Sequence, residues 1–194
     1  MKPSAVRAIP RAVILSHIFV GTVLAASIPA TQTLAQPQPT QSAQAHAQIS
    51  DGQGKPLGTA ALAETPQGVL IQLRLKNVPA GSHGLHIHQT GRCDPPKFES
   101  AGGHYNPTDA QHGLQNPQGA HAGDLPNVFV QQDGMLDLDV VAAEVTLDAG
   151  PNSLFKDGGT ALVMHAGPDD YESDPAGHSG DRIGCGVIER QPVQ

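Results

Sequence analysis

The sequence predicts an all-β domain, an antiparallel sandwich or barrel of short strands. Stretches of alternating apolar and polar residues recur along the chain, with turn signals between them. Gly and Pro number 22 and 17, which suits many turns joining short strands. Long apolar runs with a helical period are missing. Trp is absent and aromatic residues make up 3%, so the core must be Val, Leu, Ile and Ala.

Residues 1–35 read as a secretory signal peptide. Lys2, Arg7 and Arg11 give a positive start, and Ala12 to Ala26 is largely apolar, interrupted by Ser16, His17 and Thr22. Thr33-Leu34-Ala35 is an acceptable cleavage site, with Ala30 as a second choice. An uncleaved anchor is the alternative, but the apolar run is short for a full span. Residues 36–44 (QPQPTQSAQ) look like a disordered linker. The folded domain then covers residues 45–194.

Strands are expected at Ala45–Ser50, Leu57–Glu64 and Val69–Asn77, separated by Asp51-Gly52-Gln53-Gly54 and Thr65-Pro66-Gln67-Gly68. In the third, Val69, Ile71, Leu73 and Leu75 share one face. Gly84–His88 is a strand carrying two histidines. Residues 90–127 form a long loop dense in Gly, Pro and Asn, and a loop of that length is uncommon unless functional. Its few apolar residues are expected to leave its order to metals and a disulfide. Strand pattern returns at Val128–Val130, Met135–Val145, Thr160–His165 and Ile183–Glu189, with Leu154 and Phe155 as plugs and Gly167–Asp181 as a second irregular loop.

The formal charge is −7. Beyond the leader, 8 basic residues face 18 acidic ones, which leaves −10. A basic patch for nucleic acid or an anionic membrane is therefore not expected. The even cysteine count in an exported context favours a Cys93–Cys185 disulfide over two buried thiols.

Side chains at i and i+2 of a strand share a face, so His86 and His88 project together while Leu85 and Ile87 turn into the core. His104, His112, His121 and Asp124 follow on the long loop at spacings of 8, 9 and 3. Three imidazoles and a carboxylate form a closed tetrahedral set for zinc. A solvated histidine-rich loop is the alternative, weakened by the neighbouring His-x-His strand. His86, His88 and His165 are left over, and a nitrogen-only site suits copper. One loop histidine would have to complete it. His46 reads as a surface strand residue, and His178 as a surface turn in preference to a channel residue. His83 faces away from His86 and His88 and is left out of the site.

With these residues in place the chain resembles the copper,zinc superoxide dismutases. The matching motifs are GLHIH (84–88), SAGGHYNP (100–107), QHG (111–113), HAGDLPN (121–127), ALVMH (161–165) and GDRIGCGVI (180–188). The resemblance as a whole covers roughly residues 45–190. The long stretch CDPPKFESAGGHYNP and the export leader resemble the bacterial periplasmic branch.

The resemblance implies an eight-stranded Greek-key barrel with two long functional loops. It implies copper on His86, His88, His104 and His165, and zinc on His104, His112, His121 and Asp124, with His104 bridging. It also implies a Cys93–Cys185 disulfide, Asp169 as a carboxylate linking His86 and His112, and Arg182 as the residue guiding the anion. The substrate would be superoxide, converted to oxygen and hydrogen peroxide in a two-step copper cycle, with a proton carried on the copper side of His104. The protein would be periplasmic, without a membrane segment in its mature form, and would protect the cell envelope.

Two departures stand out. The loop 166–181 has no lysine, and Asp169, Asp170, Glu172, Asp174 and Asp181 replace any steering positive charge. Ala176 and His178 stand where much of the family has a Thr and an Asn. A non-catalytic copper- and zinc-binding or chaperone-like module is the alternative function. Such relatives typically lose copper ligands or the arginine, and both are present here. Monomer and homodimer both remain open.

Overall fold

The structure is a computed structural model that describes residues 44–191. The expected signal peptide and all but the last residue of the linker lie outside the described residues. The strands are β1 (Ala45–Ser50), β2 (Pro56–Thr65), β3 (Gly68–Leu75), β4 (Gly81–His83), β5 (Leu85–His88), β6 (Val128–Val130), β7 (Leu136–Ala142), β8 (Ala161–His165), β9 (Arg182–Val187) and β10 (Glu189–Arg190). Among the described residues the helical content is one 3-10 turn, Glu99–Ala101, and no helix is long and apolar enough to cross a membrane.

Hydrogen bonding orders the main sheet β5-β8-β9-β1-β2-β3-β7, with β10 also on β1, and β4 pairs with β6 in a second sheet. The two sheets meet where β4 runs into β5 across Gly84, and where Gln131 N–H bonds Met135 O in the hairpin from β6 to β7. With β4–β5 and β9–β10 each counted as one interrupted strand, eight strands result. The connections β3 to β4 and β7 to β8 cross between non-neighbours, which makes the barrel a Greek key.

Alternation places the core. Val69, Ile71, Leu73 and Leu75 of β3 are all buried, and they pack with Leu62, Leu85, Ile87, Leu125, Leu162 and Met164. Leu154 is a fully buried plug, and Phe155 packs beside it under the Arg190 guanidinium, 3.9 Å from the ring centre. On the outer face, Arg74 of β3 sits between Asp137 (3.0 Å) and Asp139 (2.8 Å) of β7.

Strand β5 is buried on both faces. Its inner face meets the barrel core, and the loops 90–127 and 166–181 cover its outer face. The expectation that the long loop lacks apolar anchors of its own needs correction. Phe98, Ala101, Tyr105, Ala122 and Leu125 are all buried. Phe98 and Ala101 form a small second core with Ala161, Val163 and Cys185. These residues recur with no period, so pattern reading cannot detect them.

Candidate metal centre

His86 and His88 are fully buried on β5, while Leu85 and Ile87 enter the core. His165 ends β8, which pairs with β5. His104 reaches the same place from the loop, held to His88 by a β-bridge. The four rings each offer a nitrogen within 4.8 Å of the others. Three outward nitrogens already have acceptors: His86 Nε2 donates to Asp169 Oδ2 (2.7 Å), His88 Nδ1 to Gly102 O (2.9 Å) and His165 Nδ1 to Gly180 O (3.1 Å). Those bonds fix each tautomer and turn a bare nitrogen inward. His88 Nε2 and His165 Nε2 lie 3.4 Å apart.

A second group adjoins the first. Asp124 Oδ1 lies 2.9 Å from His104 Nδ1, 3.0 Å from His112 Nδ1 and 3.4 Å from His121 Nδ1. Its Oδ2 accepts the backbone N–H groups of Gly113 and His121, each at 3.0 Å. His104 therefore belongs to both groups, through Nδ1 to one and Nε2 to the other. Asp169 joins the groups from outside, because its two oxygens accept His86 Nε2 (2.7 Å) and His112 Nε2 (3.0 Å). It takes up the outer nitrogens and is a link, not a third metal site. Gly177, at φ +62°, makes room for it, since a Cβ there would run into Asp169 Oδ1.

The donor set fits two metal ions. His86 Nδ1 and His104 Nε2 are buried without any hydrogen-bond partner. A buried polar atom left unpaired is costly, and a cation between these nitrogens accounts for both.

Burial governs the electrostatics. It lowers His86, takes His88 down to about 2, and takes His104 and His165 down to about 4. Those rings are neutral at pH 7 and ready to ligate. Burial acts the same way on His112, but its hydrogen bonds to Asp124 and Asp169 outweigh it and push the ring up to about 9. Burial would raise Asp124 and Asp169, yet their histidine hydrogen bonds hold both well below the usual carboxylate range.

Arg182 opens β9 opposite His165. Its Nη1 donates to Phe98 O (2.7 Å) and its Nη2 to Gly102 O (2.6 Å), the carbonyl that His88 also uses. Cys93 and Cys185 form a disulfide with a Cα–Cα distance of 5.7 Å. It ties the loop to β9 three residues beyond Arg182.

His46 is a partly exposed strand residue, 3.8 Å from Glu189. His178 is largely exposed and bonds Asp170 at 3.0 Å. His83 matters more than the sequence suggests. It is buried, and its ring nitrogens lie 2.8 Å from His165 O and 2.8 Å from Pro79 O. The sequence reading left it out of the metal site and gave no sign of its reach to the backbone of His165. The hydrogen bonds of the loop 166–181 to the other loop were also hidden. Tyr171 OH accepts Asn127 N–H (2.6 Å), and Asn127 Nδ2 donates to Asp169 O (2.8 Å).

A β-barrel with six buried histidines in two groups sharing one ring defines a dinuclear metalloprotein. Residues 57–188 match the family model for copper/zinc superoxide dismutase. The chain is 48% identical over 176 residues to superoxide dismutase [Cu-Zn] 2 of Aquifex aeolicus, covering 90% of this chain and 98% of that one. It is 39% identical to the superoxide dismutase [Cu-Zn] of Caulobacter vibrioides, covering 75% and 85%. Among solved structures, a superoxide dismutase-like protein from Bacillus subtilis aligns at 39% identity and TM-score 0.72, over 73% of this chain and 96% of that one. The Cu/Zn superoxide dismutase of Brucella abortus aligns at 30% and 0.63, over 75% and 100%. The chain belongs to the copper/zinc superoxide dismutase family. Its activity is the dismutation of superoxide, and its cofactors are copper and zinc.

Proposed function

We propose that His86, His88, His104 and His165 hold the copper, and that His104, His112, His121 and Asp124 hold the zinc. One observation carries the assignment: His104 commits Nδ1 to the Asp124 group and leaves a buried, unpaired Nε2 in the other. Copper held there would supply the reversible one-electron chemistry that dismutation needs.

The protein's own groups do the rest. Asp169 fixes His86 and His112 together, so the two sites share one frame. The copper-side histidines are neutral and dry, which keeps their nitrogens free of protons that would compete for the ligand positions. His104 Nε2 is the atom placed to hold and release a proton. Arg182 spends two of its five N–H groups on Phe98 O and Gly102 O, and the others remain for a small anion.

Residues 1–35 are proposed as a cleaved signal peptide and the mature protein as periplasmic, where it protects the cell envelope. The positive start, the apolar run and the disulfide support this, since disulfides persist in oxidising compartments. The test is metal analysis and turnover on protein recovered from the envelope fraction, with its N-terminus sequenced. One copper, one zinc, rapid superoxide consumption and a start at Gln36 are expected. Uncleaved cytoplasmic protein would contradict the location, and a metal-loaded protein without turnover would contradict the site.

A further inference from the structure

We infer that Asp174 is a positioning residue for zinc, acting as the outer partner of His121. The inference rests on the zinc assignment above. The other zinc ligands are accounted for: His112 Nε2 is taken up by Asp169, Asp124 Oδ2 by the N–H groups of Gly113 and His121, and His104 Nε2, buried without a partner, is the atom assigned above to copper. His121 presents Nδ1 to the group and has Nε2 outward. With Nδ1 on the metal, Nε2 must carry the proton. Among the described residues, the carboxylate near that nitrogen is Asp174, its Oδ1 at 3.9 Å. That spacing suits a charge contact or one bridging water.

The same Oδ1 accepts the backbone N–H of His112 at 2.7 Å. One carboxylate of the acidic loop thus faces two zinc histidines, accepting the backbone N–H of one and lying 3.9 Å from the ring nitrogen of the other. A carboxylate behind a ligating imidazole orients it and raises its basicity, and losing such a partner costs about 10–100-fold in metal affinity. The charge of Asp174 therefore serves the zinc loop, although its side chain is half exposed.

Zinc affinity is measured by chelator competition on the mature, copper-loaded chain. The cobalt(II) spectrum of the zinc site is recorded beside it. Asp174→Ala is expected to weaken zinc about 10–100-fold, leave copper affinity unchanged and shift the cobalt bands. Asp174→Asn keeps an oxygen for His112 N–H but removes the charge facing His121, so it should show a smaller loss of zinc. Wild-type zinc affinity and cobalt spectra in both variants would overturn the inference alone. Copper and zinc falling together with the melting temperature would also overturn it, as a purely structural role. A wild type that takes up no zinc would overturn the site reading and this inference with it.

Discussion

At the scale of single residues, the zinc group holds a proton in exchange for the ion. His112 is pushed up to about 9, so it is protonated at pH 7 when zinc is absent. Zinc needs the bare Nδ1, and uptake at pH 7 should release about one proton. Calorimetry in buffers of differing ionisation enthalpy checks this, and no release would contradict it. The stability of the metal-free chain follows by linkage. The raised His112 contributes fully below its unfolded value of 6.5, and that contribution is lost as pH rises through about 9. The depressed Asp124 and Asp169 contribute above their unfolded value of 3.8 and lose it as pH falls. Neutral burial of His88, His104 and His165 costs stability below 6.5, where the unfolded rings would take up protons. For this site, the metal-free chain should be most stable near pH 6.5, and thermal unfolding against pH tests that. The sequence exposed the ligands because strand alternation and loop spacing are local. It exposed Asp169 only through the family resemblance. Asp174 was one acidic residue among five, and nothing local says which of them faces the zinc histidines.

At the scale of elements, the disulfide and the loop it ties are the sensitive parts. Cys93 and Cys185 are 92 residues apart, and closing a loop of that size stabilises by roughly 4–5 kcal/mol in the chain-entropy model. Cys185→Ser should lower the melting temperature. It should also lower activity, because Arg182 rests on Phe98 O in the loop the bridge holds. Two reactive thiols in the unfolded, unreduced wild type would sink the idea. Most strands were legible within one or two residues, since one face of each meets the core. Strand β4, just before the histidine strand, and the short β10 were not, because they arise from pairing with distant strands. The anchoring of the long loop escaped for the same reason: Phe98 and Tyr105 find their partners far away in sequence, Tyr105 OH donating to Ser153 O at 3.1 Å.

At the scale of the whole molecule, a chain carrying −10 beyond the leader must attract a small anion. The average field repels superoxide, and only a local positive focus favours its approach. On the proposed assignment, Arg182 would provide that focus. Lys97 lines a cavity of about 320 Å³ beside Arg182, but Glu99 lines it too and lies 4.0 Å from the Lys97 ammonium. The acidic loop repels less than its composition suggests. Asp169 and Asp174 turn to the zinc loop, and Asp170 bonds His178 and the N–H groups of Glu172 and Ser173. The attraction comes from the partly buried Arg182 and the repulsion from loop carboxylates that are mostly exposed, and salt screens exposed charges over about 8 Å at physiological ionic strength. The rate should therefore fall only gently with added salt, and a steep fall would show that other basic groups steer the anion. Arg182→Ala should remove much of kcat/KM and leave metal content unchanged.

The central claim is that one ring, His104, belongs to both metal sites. The measurement is the copper(II) spectrum recorded before and after zinc removal, in the wild type and in His104→Ala. The wild-type spectrum should change when zinc leaves, and the variant, with three ligands left at each site, should show no response. A variant whose copper spectrum still follows zinc would contradict the account.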